Sequence, residues 1–190
     1  MSASADRLAI MDLAANYMRA LDRLDQALLE EQFWENAHLS YGIYEGGPRE
    51  FAAFCMAALA GHDRNHHMLG QNLVEIEGDE AYGEVYYQAY HRLTNEHGAK
   101  RDLVIAGRYV DRCEKRGGVW KFAYRSEIVE WARDDPASDT ILSTSPFILG
   151  QRKPTDPLYN RVVLLVSWTG QTGVGGQDSC CFQVSIWEAL

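Results

Sequence analysis

Positive charge is scarce in this chain. Eighteen Lys and Arg face 27 Asp and Glu among 190 residues, giving a net charge of −9. A surface of that sign does not attract phosphate backbones or anionic bilayers, so neither nucleic acid nor a membrane is expected as a partner. The N-terminus, MSASADRLAIMDLAANY, has no long apolar run and carries Asp6 and Asp12, which reads as neither a signal peptide nor an anchor and gives a cytoplasmic expectation. Cysteine is rare and badly spaced: Cys55, Cys113 and the adjacent Cys180 and Cys181 form no CxxC, arguing for reduced thiols over a zinc site or a disulfide scaffold. There is no GxGxxG or GxxxxGKS loop, no HExxH helix and no GxSxG elbow, so no nucleotide cofactor, no metal and no acyl-transferring serine is expected. The three histidines of HDRNHH, His62, His66 and His67, lack the acid-rich partners of a metal site.

What is present has the order of an α+β domain. Leu8, Met11, Ala14, Ala15, Met18 and Leu21 recur at three- and four-residue steps and predict a helix of roughly four turns. Asp25 is placed to cap a second helix bearing Leu28, Leu29 and Phe33. HLSYGIYEGG reads as a short strand ending at Gly46-Gly47, and Pro48 opens a third helix closed by Gly61. From Met68 the period changes to two: one strand pair turns at Gly78-Asp79, another around Lys115 to Gly118. Helices followed by antiparallel strands imply a curved sheet wrapped around the helices. Residues 1–133 are assigned to this domain, 134–160 to a proline-rich extended segment, and 161–190 to an apolar, glycine-rich tail whose side chains call for a partner surface.

Asp22 stands where the first helix breaks, and His67 opens a strand-turn-strand unit with small inward residues. A carboxylate reaching an imidazole in an apolar pocket makes a general base. Each has a plainer explanation: Asp22 could cap the restarting helix, His67 could be a core histidine, and His66 beside it faces the opposite side of the strand. Tyr17 and Tyr41 could equally be core residues, His91 a surface histidine, and Arg125 a strand arginine paired with Glu127 or Glu84.

ALDRLD, HHMLGQNLVEIEGDEA and RGGVWKFAYRSEIVEW, within a stretch from Asp6 to Arg133, resemble the SnoaL-like branch of the nuclear transport factor 2-like superfamily. The resemblance is to the group holding scytalone dehydratase, bile acid 7α-dehydratase and hexachlorocyclohexane dehydrochlorinase. It implies a cone of three helices in a strongly bent antiparallel sheet, an Asp22–His67 dyad, Tyr17 and Tyr41 as polar cavity residues, His91 near a second histidine and Arg125 at a cavity arginine. Leu21 departs from the tyrosine that precedes the aspartate in scytalone dehydratase. The implied activity is that of a cofactor-independent lyase (a dehydratase, dehydrohalogenase or aldehyde-releasing retro-aldol enzyme) acting on a hydrophobic cyclic or aromatic small molecule, in a homo-oligomer that by resemblance is a trimer. A steroid- or polyketide-type isomerase or cyclase and a non-catalytic ligand-binding module are the alternatives.

Overall fold

A computed structural model describes residues 3–144 and 146–160. The tail from Arg161, with Cys180, Cys181 and the oligomer contact assigned to it, lies outside the described residues. Residues up to Asp156 form one compact unit; Pro157–Tyr159, beyond it, form a single 3-10 turn.

Helix α1 spans Ala3–Arg23 and α2 spans Gln26–Glu31. The buried stripe of α1 is Ile10, Leu13, Ala14, Tyr17, Met18 and Leu21, whereas Leu8 and Met11 face solvent. The expected face is thus rotated by about one residue, because the stripe centred on Leu13 and Tyr17 also keeps the i, i+3, i+4 spacing. Leu24 ends α1 in the left-handed region (φ 50), and Asp25 caps α2 by accepting a hydrogen bond from the Leu28 N–H at 3.3 Å. Asp22 is free of capping and sits in the last turn of α1.

Strand β1 covers Phe33–Ser40 and β2 only Glu45–Gly46, so the strand read in HLSYGIYEGG begins earlier and breaks at a turn over Tyr41–Tyr44. Helix α3 is Pro48–Ala60, with Pro48 in its first turn, where a missing N–H costs nothing. Four long strands follow: β3 (Arg64–Glu77), β4 (Glu80–Thr94), β5 (Lys100–Arg116) and β6 (Val119–Pro136). Gly78 (φ 67) alone takes the left-handed region in the first tight turn, as a type II′ turn requires, while Gly117 and Gly118 (φ 59 and 84) both do in the second.

The six strands run β2-β1-β6-β5-β4-β3. The sheet is mixed, not wholly antiparallel as expected, because β1 pairs in parallel with β6. The long path from β1 through α3 and three hairpin strands supplies the crossover that parallel pairing needs. Bulges sharpen the bend: one lies opposite Gly107, where an added Cβ would meet the Ile128 carbonyl oxygen at 2.1 Å. Helix α1 packs along β3, and the core beneath it gathers Tyr17, Phe33, Phe51 and Phe122. Past β6 the chain makes a short helix α4 (Ile141–Thr144). It is not extended throughout: Arg152 donates to the carbonyl oxygens of Leu59 (3.1 Å) and His62 (3.0 Å), and Lys153 pairs with Asp25 at 2.8 Å.

Candidate active site

A cavity of about 210 Å³ lies between α1, α3, the turn after β1 and the concave face of the sheet. Its wall is mainly apolar or aromatic, with Leu21, Phe51, Phe54, Ala89, Leu103 and Ile105 among the lining residues, and Ile43, 80% exposed, stands at its rim. Ala89 is the register partner of His67 across β3 and β4, so a small side chain leaves room beside the imidazole. A larger hollow of about 410 Å³, on the outer face of the sheet by Met68, Tyr86 and Trp131, holds none of the expected site residues.

Asp22 and His67 meet. His67 Nδ1 lies 2.7 Å from Asp22 Oδ1, and the His67 backbone N–H donates to the same carboxylate at 3.0 and 3.2 Å. A carboxylate only accepts, so Nδ1 carries a proton, and in the neutral form of the ring Nε2 is the nitrogen left with a lone pair. The His67 side chain is 6% exposed and lines the cavity; His66, next along the strand, is exposed on the other side.

Tyr17 and Tyr41 line the cavity with their hydroxyl oxygens 2.9 Å apart. Burial pushes both phenols well above the usual range, so they remain neutral donors. When one donates to the other, the second hydroxyl proton is free for a ligand. Arg125 does not line the cavity. It is fully buried one layer deeper, with its guanidinium carbon 4.4 Å from the ring centroids of Tyr17 and Tyr109 and 3.9 Å from that of Phe122. Its partner is neither Glu127 nor Glu84 but Asp111, engaged by two hydrogen bonds of 2.7 and 2.8 Å. Arg125 therefore reaches a ligand only through the electrostatics of the tyrosines above it.

The sequence profile of the SnoaL-like domain matches residues 2–126. The chain belongs to the SnoaL-like domain family. No curated protein matches it. Among solved structures, it is similar to LinA at 25% identity (TM-score 0.62), with 70% of this chain and 90% of that one covered. A LinA type 2 hexachlorocyclohexane dehydrochlorinase gives 22% identity, a TM-score of 0.65 and coverage of 76% and 96%. A candidate scytalone dehydratase from Novosphingobium aromaticivorans gives 22% identity, a TM-score of 0.61 and coverage of 70% and 90%.

Three polar groups of this SnoaL-like cavity were not read from the sequence as site residues. Glu127 projects from β6 into the cavity wall. His62 lines the cavity at the end of α3, and Asn65 stands behind it. In the orientation that satisfies its neighbours, the Asn65 amide donates to His62 Nδ1 (2.9 Å) and His91 Nδ1 (3.0 Å) while its oxygen accepts from Arg152 Nη2 (3.2 Å). His91 itself is buried, not a surface histidine, and its ring meets that of His67 edge to face at 5.2 Å.

Burial, with His67 and His62 nearby, pushes the His91 ring down to about 3. An unfolded chain takes up this proton near 6.5, so folding stability is intact above about pH 6.5 and is lost as pH falls toward 3. His91→Gln is expected to flatten part of this loss in urea unfolding compared at pH 7 and pH 4.5. An identical pH dependence in variant and parent would show that the ring is not held neutral.

Among the described residues no group of three or more His, Cys, Asp or Glu is arranged to hold a metal ion; His66 faces away from His62 and His67. No helix among them is long and apolar enough to cross a membrane.

Proposed function

We propose that this protein is a cofactor-independent lyase that eliminates a small group from a hydrophobic cyclic molecule. The observation that carries the reading is the 2.7 Å Asp22–His67 contact at the wall of an apolar cavity. His67 Nε2 removes a proton from a carbon next to a carbonyl. Asp22 holds the ring tautomer and stabilises the imidazolium that forms. The Tyr17–Tyr41 pair donates to the developing oxyanion, with the Arg125 charge beneath it, in surroundings that keep water out. The electron pair then expels a group from the neighbouring carbon.

Size favours one or two rings. An apolar cavity of about 150 Å³ already takes benzene, so about 210 Å³ suits a substituted ring better than a steroid. This weighs against the steroid form of the isomerase alternative. A neutral small molecule also suits the overall negative charge, and a homo-oligomer, trimeric by resemblance, remains the proposed assembly.

The direct test is mass spectrometry of products from β-substituted cyclohexanones. The expected product is lighter than its substrate by one molecule of water or hydrogen halide. A product of unchanged mass would instead assign the site to an isomerase, and tight binding without any product would assign it to a ligand carrier.

A further inference from the structure

Glu127 has no place in the base-and-oxyanion scheme, yet it faces the same cavity as His67. It lies opposite Tyr109 in the register of β5 and β6, and the Tyr87 hydroxyl donates to its Oε1 at 2.6 Å. The rings of Tyr87 and Tyr109 stack at 4.6 Å, so the carboxyl is oriented by a rigid aromatic pair. Among the described residues it has no ion-pair partner: Arg125, two positions earlier on the same face, is committed to Asp111. Burial, the largest influence, pushes its carboxyl up; hydrogen bonds from Tyr87 and Tyr109 and the charge of Arg125 oppose it, as does His67 once it is protonated, without cancelling it.

We propose that Glu127 is the general acid of the site, protonating a hydroxyl leaving group while His67 takes the proton from carbon, so that the substrate class is a hydroxylated cyclic ketone rather than a halide. The proposal rests on the elimination reading above and narrows it. Water is a very weak acid, so hydroxide leaves poorly unless it is protonated as it departs; chloride needs no such help. In the balanced step the C–H electron pair becomes the new double bond by way of the enolate. The C–O pair goes to oxygen, and the Glu127 proton completes a water molecule. The proton held by His67 then returns to Glu127 through the released water, and no electron is gained or lost.

The test uses the full chain and two probes, β-hydroxycyclohexanone and β-chlorocyclohexanone, with formation of the enone followed by absorbance and the spontaneous rate subtracted. E127Q is expected to lose elimination of water by about 10²- to 10³-fold while keeping elimination of hydrogen chloride near the parent rate. A protonated-carboxyl band in the infrared difference spectrum of parent minus E127Q at neutral pH is the second expected result. Equal loss on both probes, loss on neither, or absence of that band would overturn the proposal. Parent protein inert toward both ketones, or His67→Ala as active as the parent, would instead remove the elimination reading itself.

Discussion

Asp22→Asn and His67→Ala are each expected to lower turnover by roughly 10²- to 10⁴-fold while the fold survives. The asparagine can still accept from the His67 backbone N–H, but it no longer stabilises the imidazolium and can turn its amide toward Nδ1, favouring the other tautomer. Alanine at position 67 removes the base outright. Because the pair acts as a unit, the double variant should be little worse than the weaker single variant. His66→Ala is the internal control: its exposed side chain should be dispensable. Steady-state kinetics on an eliminating substrate, with circular dichroism to check folding, decides the matter. Full activity in Asp22→Asn would end the dyad reading, and collapse in His66→Ala alone would transfer the role one residue along the strand.

The second large effect is expected in stability. Arg125 and Asp111 are 0% and 2% exposed at the side chain. Asp111→Ala would leave a guanidinium enclosed by three aromatic rings with no counter-ion. Removing one member of such a buried pair typically costs about 3–5 kcal/mol, whereas replacing both by apolar residues is often near neutral. Urea unfolding should therefore show a severe loss in Asp111→Ala and a substantial recovery when Arg125→Met is combined with Asp111→Leu. Burial pushes the Asp111 carboxyl up and the Arg125 charge opposes that shift; the two parallel hydrogen bonds favour the ionised pair. A loss below about 1 kcal/mol in the single variant would mean that solvent or another anion reaches the guanidinium.

Much of this arrangement was legible in the residues. Asp25 as a cap, Pro48 as a helix start and the glycine turns at Gly78 and Gly117-Gly118 are local chemistry, and each appears where that chemistry puts it; the second helix is shorter than expected, ending at Glu31, so that Phe33 opens β1 instead. Strand alternation only put His66 and His67 on opposite faces, and the resemblance pointed to His67; the structure turns His67 to the cavity and Asp22. The buried stripe on α1 lies about one residue away from the expected one, since Leu8 and Met11 satisfy the same spacing as Ile10 and Leu13.

Glu127 was missed for a different reason. Strict alternation through VWKFAYRSE puts Trp120, Phe122, Tyr124 and Ser126 on the inner face and sends Arg125 and Glu127 outward. The register shift between Arg112 and Cys113 makes Ala123 an extra residue in β6, so the inner face passes from Phe122 to Arg125 and Glu127. A one-residue bulge exchanges the two faces of everything after it, and nothing in the local composition announces it. Only the resemblance pointed to Arg125; no counterpart drew attention to the glutamate.

The return of the chain at Arg152 and Lys153 bears on how the protein can be subdivided. The family match stops at residue 126, one position before Glu127, yet the guanidinium of Arg152 ties off the carbonyl end of α3 and Lys153 braces the start of α2 through Asp25. Both attachments lie beside the last turn of α1, which carries Asp22. A homology-trimmed fragment would discard the ten residues of β6 that follow its boundary and the clasp beside the turn that carries Asp22. The transferable module for grafting or chimera building ends at Asp156, thirty residues past the point where sequence kinship fades.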